Sequence, residues 1–377
     1  MIGREELTAL LERPGPWTYA YVDGQGAEPQ VVEESRRESV RRRLSESGAP
    51  EADAEALAAA VETGTGLPAP SSRYLLAADG EVAVNETVPG PRRGPELIGH
   101  APIPPVLPLL RDREGGIRYL VVEAGRGDAV VTVERAGRKP DVTTRVEGRT
   151  DALPKVGAGG RSHSQYQRTS EEIWKHNQED LAAVVERLAR RHSPRFVIVA
   201  GDVRARQLLL DQLGDAVREL AIEVDAHTHA AGADRTALED AVAAALDEHL
   251  RSAEDEIADD AATDSGRSGA RGLHEVIEAL RQARVDRLLL DARMLGSGRT
   301  LDALDDSPWV AADAEGSLNA GIVARIPEAE ALARAALLTG ADVVVAEDRY
   351  DDESEARDDH PAEDPVAVLR WGKESAP

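Results

Sequence analysis

The pattern of hydrophobic and polar positions over the first 110 residues predicts a mixed α+β domain. A helix over 4–11 ends before Pro14-Gly15-Pro16, and residues 17–22 then alternate as in a β-strand. The prolines between Gly99 and Pro108 exclude a helix, because proline lacks a backbone N–H and fixes φ. This run marks the exit from a first domain over 1–112. Also predicted are a helix over 31–61, interrupted near 48–50, and a hairpin of strands 72–78 and 81–84 joined at Asp79-Gly80.

A second domain is predicted over residues 113–262, where strand-like and helix-like segments alternate. Two strands, 117–123 and 128–134, form a hairpin, and the pair Thr169 and Glu172 predicts a capping box at the start of a long amphipathic helix. Alternating strands and helices indicate an α/β layer with a partly parallel sheet. The later elements predicted are strands over 195–200 and 220–224 and helices over 204–213 and 235–258.

A third domain with the same α/β logic is predicted over residues 270–377, after an acidic and Ser/Gly-rich linker at 255–269. The fold class is therefore α/β with mixed sheets in the second and third domains. The acidic segment 347–364 is expected to be a solvated loop. The elements predicted in this domain are helices over 273–283 and 327–339 and strands over 286–291, 341–346 and 366–371.

Composition narrows the possible chemistry. The chain of 377 residues has a net charge of −25 and lacks cysteine, which excludes disulfides and thiolate chemistry. With no secretory signal and no membrane-length apolar run, a cytoplasmic protein is expected. Against this acidic background, residues 138–168 hold seven basic and three acidic side chains. An acidic body with one basic segment is typical of a protein that presents that segment to RNA.

The most informative stretch is the Gly-rich, basic run from Lys155 to Arg168. Its glycines allow the backbone to approach another surface closely, and its arginines and small polar side chains suit phosphate and sugar. The alternative is a basic loop that is only solvated. The residues predicted to contact RNA are Lys155, Gly157, Gly159, Gly160, Arg161, Ser162, His163, Gln165 and Arg168.

Other candidate sites are weaker. Asp225, His227 and His229 alternate as metal ligands do on an extended segment, but no third distant ligand accompanies them, so no metal is predicted. No nucleotide fingerprint is present, and no cofactor is predicted. Trp174 and His176 on the long helix are candidates for stacking on bases. The alternative for Trp174 is packing against a neighbouring domain.

The segment from Gly159 to Arg168 resembles the central loop of the eukaryotic and archaeal class-1 peptide-chain release factors and of Pelota's relatives. In the release factors this loop reads Gly-Gly-Gln and leads into a helix. Residues 272–290 and 339–345 are similar to two parts of the family's C-terminal, L7Ae/Pelota-like domain. The resemblance spans about 117–371 and implies a three-domain release-factor-like architecture.

One departure from the family pattern concerns activity. Arg161 stands where the family has its catalytic glutamine, and arginine has no hydrogen-bond acceptor. Hydrolysis is therefore not expected, and no catalytic residue is assigned. Among relatives, the chain looks most like the Balon group of ribosome-hibernation factors. That likeness implies a monomeric stress-response protein that binds the ribosomal A site and its rRNA, directs the loop toward the peptidyl-transferase centre, associates with elongation factor Tu and blocks translation.

Two alternatives remain open. Relatives of the Vms1 type are peptidyl-tRNA hydrolases that act in ribosome rescue with a displaced glutamine, a part that Gln165 or Gln167 would play here. The other alternative is a binding module in stress signalling that does not involve the ribosome.

Overall fold

The computed structural model divides the chain into two compact units. Unit 1 combines residues 1–113 with residues 251–377, and unit 2 comprises residues 114–250. For residues 30–34 and 162–171 only the backbone is described. The structure describes residues 2–24, 30–64, 66–67, 70–111, 116–125, 127–136, 138–148, 162–226, 233–263, 268–313, 315–347 and 364–371.

The first segment of unit 1 is a four-stranded antiparallel sheet in the order β3-β2-β1-β4, with helices on it. The expectation that 99–108 holds no helix is wrong at its end, because a short helix begins at Leu107. Pro108 lies in its first turn, where a backbone N–H would have no acceptor within the helix, so its absence costs no hydrogen bond. The elements are α1 (Arg4–Leu11), β1 (Trp17–Asp23), α2 (Gln30–Glu46), α3 (Glu51–Glu62), β2 (Ser71–Ala78), β3 (Glu81–Pro89), β4 (Leu97–Ala101) and α4 (Leu107–Leu110).

The two faces of this sheet pack into different cores because neighbouring side chains on a strand point in opposite directions. Ala20 and Leu75 lie in a core with residues of α2 and α3. Trp17, Tyr21 and Tyr74 lie in a core with residues from beyond 269. The segments 1–113 and 251–377 therefore share one hydrophobic core. The predicted boundaries 1–112, 113–262 and 270–377 stay a prediction.

The second segment of unit 1 has a mixed sheet in the order β10-β16-β11-β15 and a small antiparallel sheet in the order β13-β12-β14. Strands β11 and β15 are parallel, and the long connection that a parallel pair requires contains α10. The small sheet was not predicted. The elements are β10 (Gly269–Arg271), α9 (Leu273–Arg281), β11 (Val285–Asp291), a 3₁₀ helix (Ala292–Gly296), β12 (Thr300–Leu304), β13 (Val310–Ala311), β14 (Ile322–Pro327), α10 (Glu328–Leu338), β15 (Asp342–Ala346) and β16 (Val366–Leu369).

Helix α10 is the central element of unit 1, and every residue from Glu328 to Leu337 is buried. Each of its charged side chains has a partner. Arg299 pairs with Glu328, Glu330 accepts two backbone N–H groups, and Arg334 donates to the Leu304 carbonyl at 3.1 Å. Buried charges are tolerated only when they are paired in this way.

Unit 2 is a five-stranded sheet in the order β7-β6-β5-β8-β9, with helices on both faces. Strands β5, β8 and β9 are parallel, and β6 and β7 continue the sheet antiparallel. The predicted α/β fold with mixed sheets is confirmed. The elements are β5 (Arg118–Ala124), β6 (Asp128–Arg135), β7 (Val142–Glu147), α5 (Ser162–His192), β8 (Val197–Gly201), α6 (Val203–Leu210), α7 (Asp215–Arg218) and β9 (Ala221–Glu223). The last helix, α8 (Thr236–Ala262), begins in unit 2, and its residues from 251 onward belong to unit 1.

Helix α5 starts earlier than the sequence pattern indicates. The prediction that Thr169 and Glu172 cap its start is wrong, since the helix begins at Ser162 and Thr169 lies inside it. Residues 162–168 contain neither glycine nor proline, so nothing stops the helix from continuing through them. The helix therefore starts directly after the Gly-Gly-Arg motif.

Candidate functional site

The Gly-rich loop joins the end of β7 to the start of α5. Lys155, Gly157, Gly159, Gly160 and Arg161 lie outside the described residues, so their contacts stay predictions. Five further predicted residues lie in the first two turns of α5, for which the backbone alone is described. They are Ser162, His163, Gln165, Gln167 and Arg168.

Both connections to this loop are fixed at the turn between β5 and β6. The backbone N–H of Gly148, just after β7, donates to the Gly127 carbonyl at 2.7 Å. The buried side chain of Gln178 on α5 donates to the Gly125 carbonyl at 3.1 Å. A Cβ atom at Gly148 would lie 2.5 Å from Nδ2 of Asn177 and 2.7 Å from the backbone oxygen of Gly127. Only glycine therefore fits at this position between the strand and the helix. The outgoing strand and the returning helix are thus held side by side.

The first half of α5 extends past the edge of the sheet. Gln178 contacts the turn at the carboxyl end of β5, and from there inward Leu181, Val185 and Leu188 are buried against the sheet. The helix runs opposite to β5, because it leads into β8, which is parallel to β5. Residues 162–177 therefore precede the edge, a length of about 24 Å at 1.5 Å per residue.

The extended end of α5 is its amino terminus. The backbone N–H groups of a first helical turn have no partners within the helix, and the helix dipole places positive charge there. Phosphate binds readily at such an end. In this chain the end directly follows Gly159-Gly160-Arg161. Local geometry and the predicted basic residues therefore favour the same kind of ligand, a phosphate group.

The two aromatic candidates lie further along α5, near the sheet edge. His176 is 41% exposed, and its Nδ1 lies 3.2 Å from Oε2 of Glu179. Trp174 is half-buried. A histidine held by a neighbouring carboxylate is less free to stack on a base, so stacking stays a prediction for both residues.

Charged side chains fill the carboxyl edge of the parallel strands, where α/β folds usually bind ligands. The buried guanidinium of Arg206 lies 3.0 Å from Glu223 and 3.1 Å from Asp225. Arg235 pairs with Glu123 at 3.1 Å. This edge is therefore occupied by internal ion pairs.

The candidate metal motif begins on that edge. Its first residue, Asp225, is bound to Arg206, and His227 and His229 lie outside the described residues. Within the described ranges, no group of three or more histidine or acidic side chains is placed to hold a metal ion. Across the same ranges, no helix combines the length and the apolar character needed to cross a membrane.

Comparison with known families identifies the part of the chain that carries this geometry. Residues 118–267 match the profile of bacterial archaeo-eukaryotic release factor family 2. This part of the chain is release-factor-like. It contains the sheet of unit 2, the Gly-rich loop and α5. The predicted resemblance to release factors is confirmed over residues 118–267, whereas the likeness to the Balon group stays a prediction.

Relatives and solved structures extend the comparison beyond this segment. The uncharacterized protein Rv2629 of Mycobacterium tuberculosis H37Rv is 27% identical over 294 residues, which cover 76% of this chain and 77% of that protein. Pelota of Archaeoglobus fulgidus is 18% identical, with 80% of each chain covered and a TM-score of 0.39. Dom34 of S. cerevisiae, described as a translation termination-like factor, is 11% identical, with 80% of each chain covered and a TM-score of 0.40. Both TM-scores are low, so the assignment rests on the family match.

The sequence reasoning missed the contacts that fix the loop. Gln178 occupies the same helical stripe as Leu181 and Val185, three and seven residues further on. A polar side chain at a core position of that stripe signals a buried hydrogen bond. The strand β7 was also missed, although Val142, Thr144 and Val146 alternate inward along it.

Proposed function

We propose that this protein binds the ribosomal A site, directs its Gly-Gly-Arg loop toward the peptidyl-transferase centre and blocks translation without hydrolysis. The observation that carries the proposal is the release-factor-like domain whose helix α5 extends about 24 Å past its sheet, with the motif at the end. A projecting helix that follows a glycine-rich segment suits a narrow, RNA-lined channel.

The distribution of charge along the chain favours contact with RNA through the loop and the start of α5. The whole chain carries a net charge of −25, which opposes binding to RNA through its general surface. The loop and the start of α5 concentrate Lys155, Arg161 and Arg168 with the positive end of the helix dipole. Phosphate contacts from these groups position a protein on RNA without reading its sequence.

Arg161 supports a blocking role over a hydrolytic one. The guanidinium carries a permanent charge and five donors but no acceptor. It binds phosphate, whereas positioning a water for attack on an ester needs an acceptor. The proposal extends, through the likeness to the Balon group, to hibernation under stress, to association with elongation factor Tu and to a monomer in the cytoplasm off the ribosome.

The test is binding to purified ribosomes with an empty A site. We expect the protein to co-sediment with them at low salt, and aminoacyl-tRNA delivered to the A site to compete with it. Ribosomes that carry a tRNA in the A site are the matched control and should not retain the protein. Protein that remains in the supernatant at low salt would overturn the ribosome proposal and favour a signalling module.

The second candidate function is peptidyl-tRNA hydrolysis. One observation favours it: because α5 begins at Ser162, Gln165 and Gln167 lie in its first two turns, next to the loop. On the blocking proposal, ribosomes carrying peptidyl-tRNA should release no more peptide with the protein than with buffer. Release that is lost on Gln165→Ala or Gln167→Ala, with ribosome binding retained, would show instead that the protein is an enzyme.

A further inference from the structure

Unit 1 contains a cavity of about 290 Å³ between its first and second segments, to which the release-factor-like domain contributes no residue. An apolar protein cavity of about 150 Å³ holds one benzene molecule. The present volume therefore has room for two fused rings. Six residues illustrate its mainly apolar wall: Tyr19, Leu97, Ile103, Pro105, Leu295 and Ile326.

The wall of the cavity is rigid on the side of the first segment. The prolines at 104, 105 and 108 restrict the backbone there. The hydroxyl of Tyr74 donates to the Pro105 carbonyl at 2.6 Å, and the hydroxyl of Tyr21 accepts the backbone N–H of Arg93 at 3.0 Å. A preformed apolar wall binds a ligand without an ordering cost.

The cavity has one buried acceptor, the side chain of Glu330 on α10. Glu330 is 94% buried, and its Oε2 accepts hydrogen bonds from the backbone N–H groups of Val106 at 2.7 Å and Leu107 at 3.2 Å. Among the described residues, Oε1 has no hydrogen-bond partner. Because Glu330 lines the cavity, this oxygen is available to accept a hydrogen bond from a donor on a ligand.

The charges around the cavity select against ionic ligands. Above pH 7, where its carboxyl group is ionised, Glu330 repels an anion. Arg93 and Arg111 line the same cavity and oppose a second cation, although Arg111 is itself held by Glu347 through two hydrogen bonds of 2.7 and 2.6 Å. An uncharged ligand with one donor meets neither repulsion.

We propose that this cavity binds a small, uncharged, bicyclic nitrogen heterocycle whose N–H donates to Oε1 of Glu330. The rings lie against the tyrosine, leucine, isoleucine and proline side chains, and the single donor fixes their orientation. This is the usual composition of a small-molecule site, a mainly apolar pocket with few polar groups. The ligand contacts both segments of unit 1 and stabilises their association.

The test compares indole with indene, which has the same two-ring shape without the N–H. In titrations followed by NMR on the full chain, we expect indole to bind about tenfold more tightly than indene, the effect of one hydrogen bond to a buried acceptor. Benzoate, an anion of similar size, should not bind. Equal binding of indole and indene would overturn the role of Glu330, and no binding of either would overturn the site.

Variants locate the binding. In the Glu330→Gln variant, the affinity for indole should fall to the affinity for indene, because the amide N–H₂ group replaces the acceptor oxygen. Glu328→Gln makes the same change two residues earlier, where the carboxylate pairs with Arg299, and should keep the tenfold preference. Ala101→Phe, which fills the cavity from β4, should abolish binding of both compounds. Unchanged binding in that variant would place the compounds elsewhere. Should Glu330→Gln fail to fold, the indole and indene comparison on the native chain still decides.

Discussion

Replacing Lys155, Arg161 and Arg168 together with glutamine should weaken binding to ribosomes about 100-fold at low salt. Each side chain is expected to contact one phosphate, on the order of 1 kcal/mol per contact. Each phosphate contact also releases bound counterions, so its loss changes the salt dependence of binding. The slope of log K against log salt should become shallower by about 2 to 3. Binding measured by sedimentation or filter retention at four or more salt concentrations gives both quantities.

The matched control lies at the other end of the same helix. Arg187, Arg190 and Arg191 are exposed, and changing all three to glutamine removes the same number of positive charges as the loop variant does. This variant should bind with nearly the native affinity and slope. An equal loss in both variants would show that net charge matters rather than the tip. An unchanged salt slope in the loop variant would show that the tip does not touch phosphate.

The native chain should lose about 2.5 kcal/mol of unfolding free energy between pH 5 and pH 8, measured relative to Glu330→Gln. Burial raises the pKa of Glu330 from 4.5 to about 7, against the opposing effect of the Val106 and Leu107 N–H groups and of Arg111. A shift of that size corresponds to about 3 kcal/mol. The variant keeps the shape and an amide oxygen that accepts from the same N–H groups.

The sign follows from which state holds the proton. Between pH 4.5 and 7 the folded chain keeps a proton on Glu330 that the unfolded chain has released. The stability of the folded chain therefore falls as the pH rises through this window. Above pH 7, Glu330 has little further effect on stability. The contribution of Glu330 to the stability of unit 1 should therefore grow as the pH falls. A carboxylate in an ion pair usually behaves in the opposite way.

Tryptophan fluorescence in urea measures this effect in unit 1. Trp17, Trp309 and Trp371 lie in unit 1, so a Trp174→Phe background removes the signal of unit 2. Native and Glu330→Gln chains are compared at pH 5, 6, 7 and 8. Parallel stability curves would contradict a raised pKa at Glu330. A native chain that gains stability with pH relative to the variant would reverse the assigned sign.

The sequence predicted elements well where one local signal dominated. Residues 196–200 form an uninterrupted apolar run, and β8 (Val197–Gly201) is buried throughout, as is typical of a parallel strand inside a sheet. The start of α5 was placed too late because the capping pair Thr169 and Glu172 is a strong local signal. It does not exclude a helix that continues through the preceding polar residues.

The candidate site was found only in part. The Gly-rich motif was visible because glycine and arginine stand out in an acidic chain. The contacts of Gly148 and Gln178 were not visible, because both are made to the turn between β5 and β6, which lies 53 residues before Gln178. Likewise, the sequence does not indicate that Glu328, Glu330 and Arg334 are buried along α10. Their partners, Arg299 and the backbone at 106–107 and 304, are distant in sequence, and no local pattern indicates them.

The shared core of unit 1 sets an order of events during synthesis. Thr8 on α1 donates to the carbonyl of Leu337 at 3.3 Å, and Arg4 pairs with Asp342. The first segment therefore cannot complete its core until residues more than 300 positions later have been synthesised. Residues 114–250 are synthesised in between and form a complete unit. Domains fold as they leave the ribosome, so the middle unit finishes first. A nascent chain interrupted before α10 leaves Trp17 and Tyr74 uncovered, and such a chain is a substrate for chaperones and proteases.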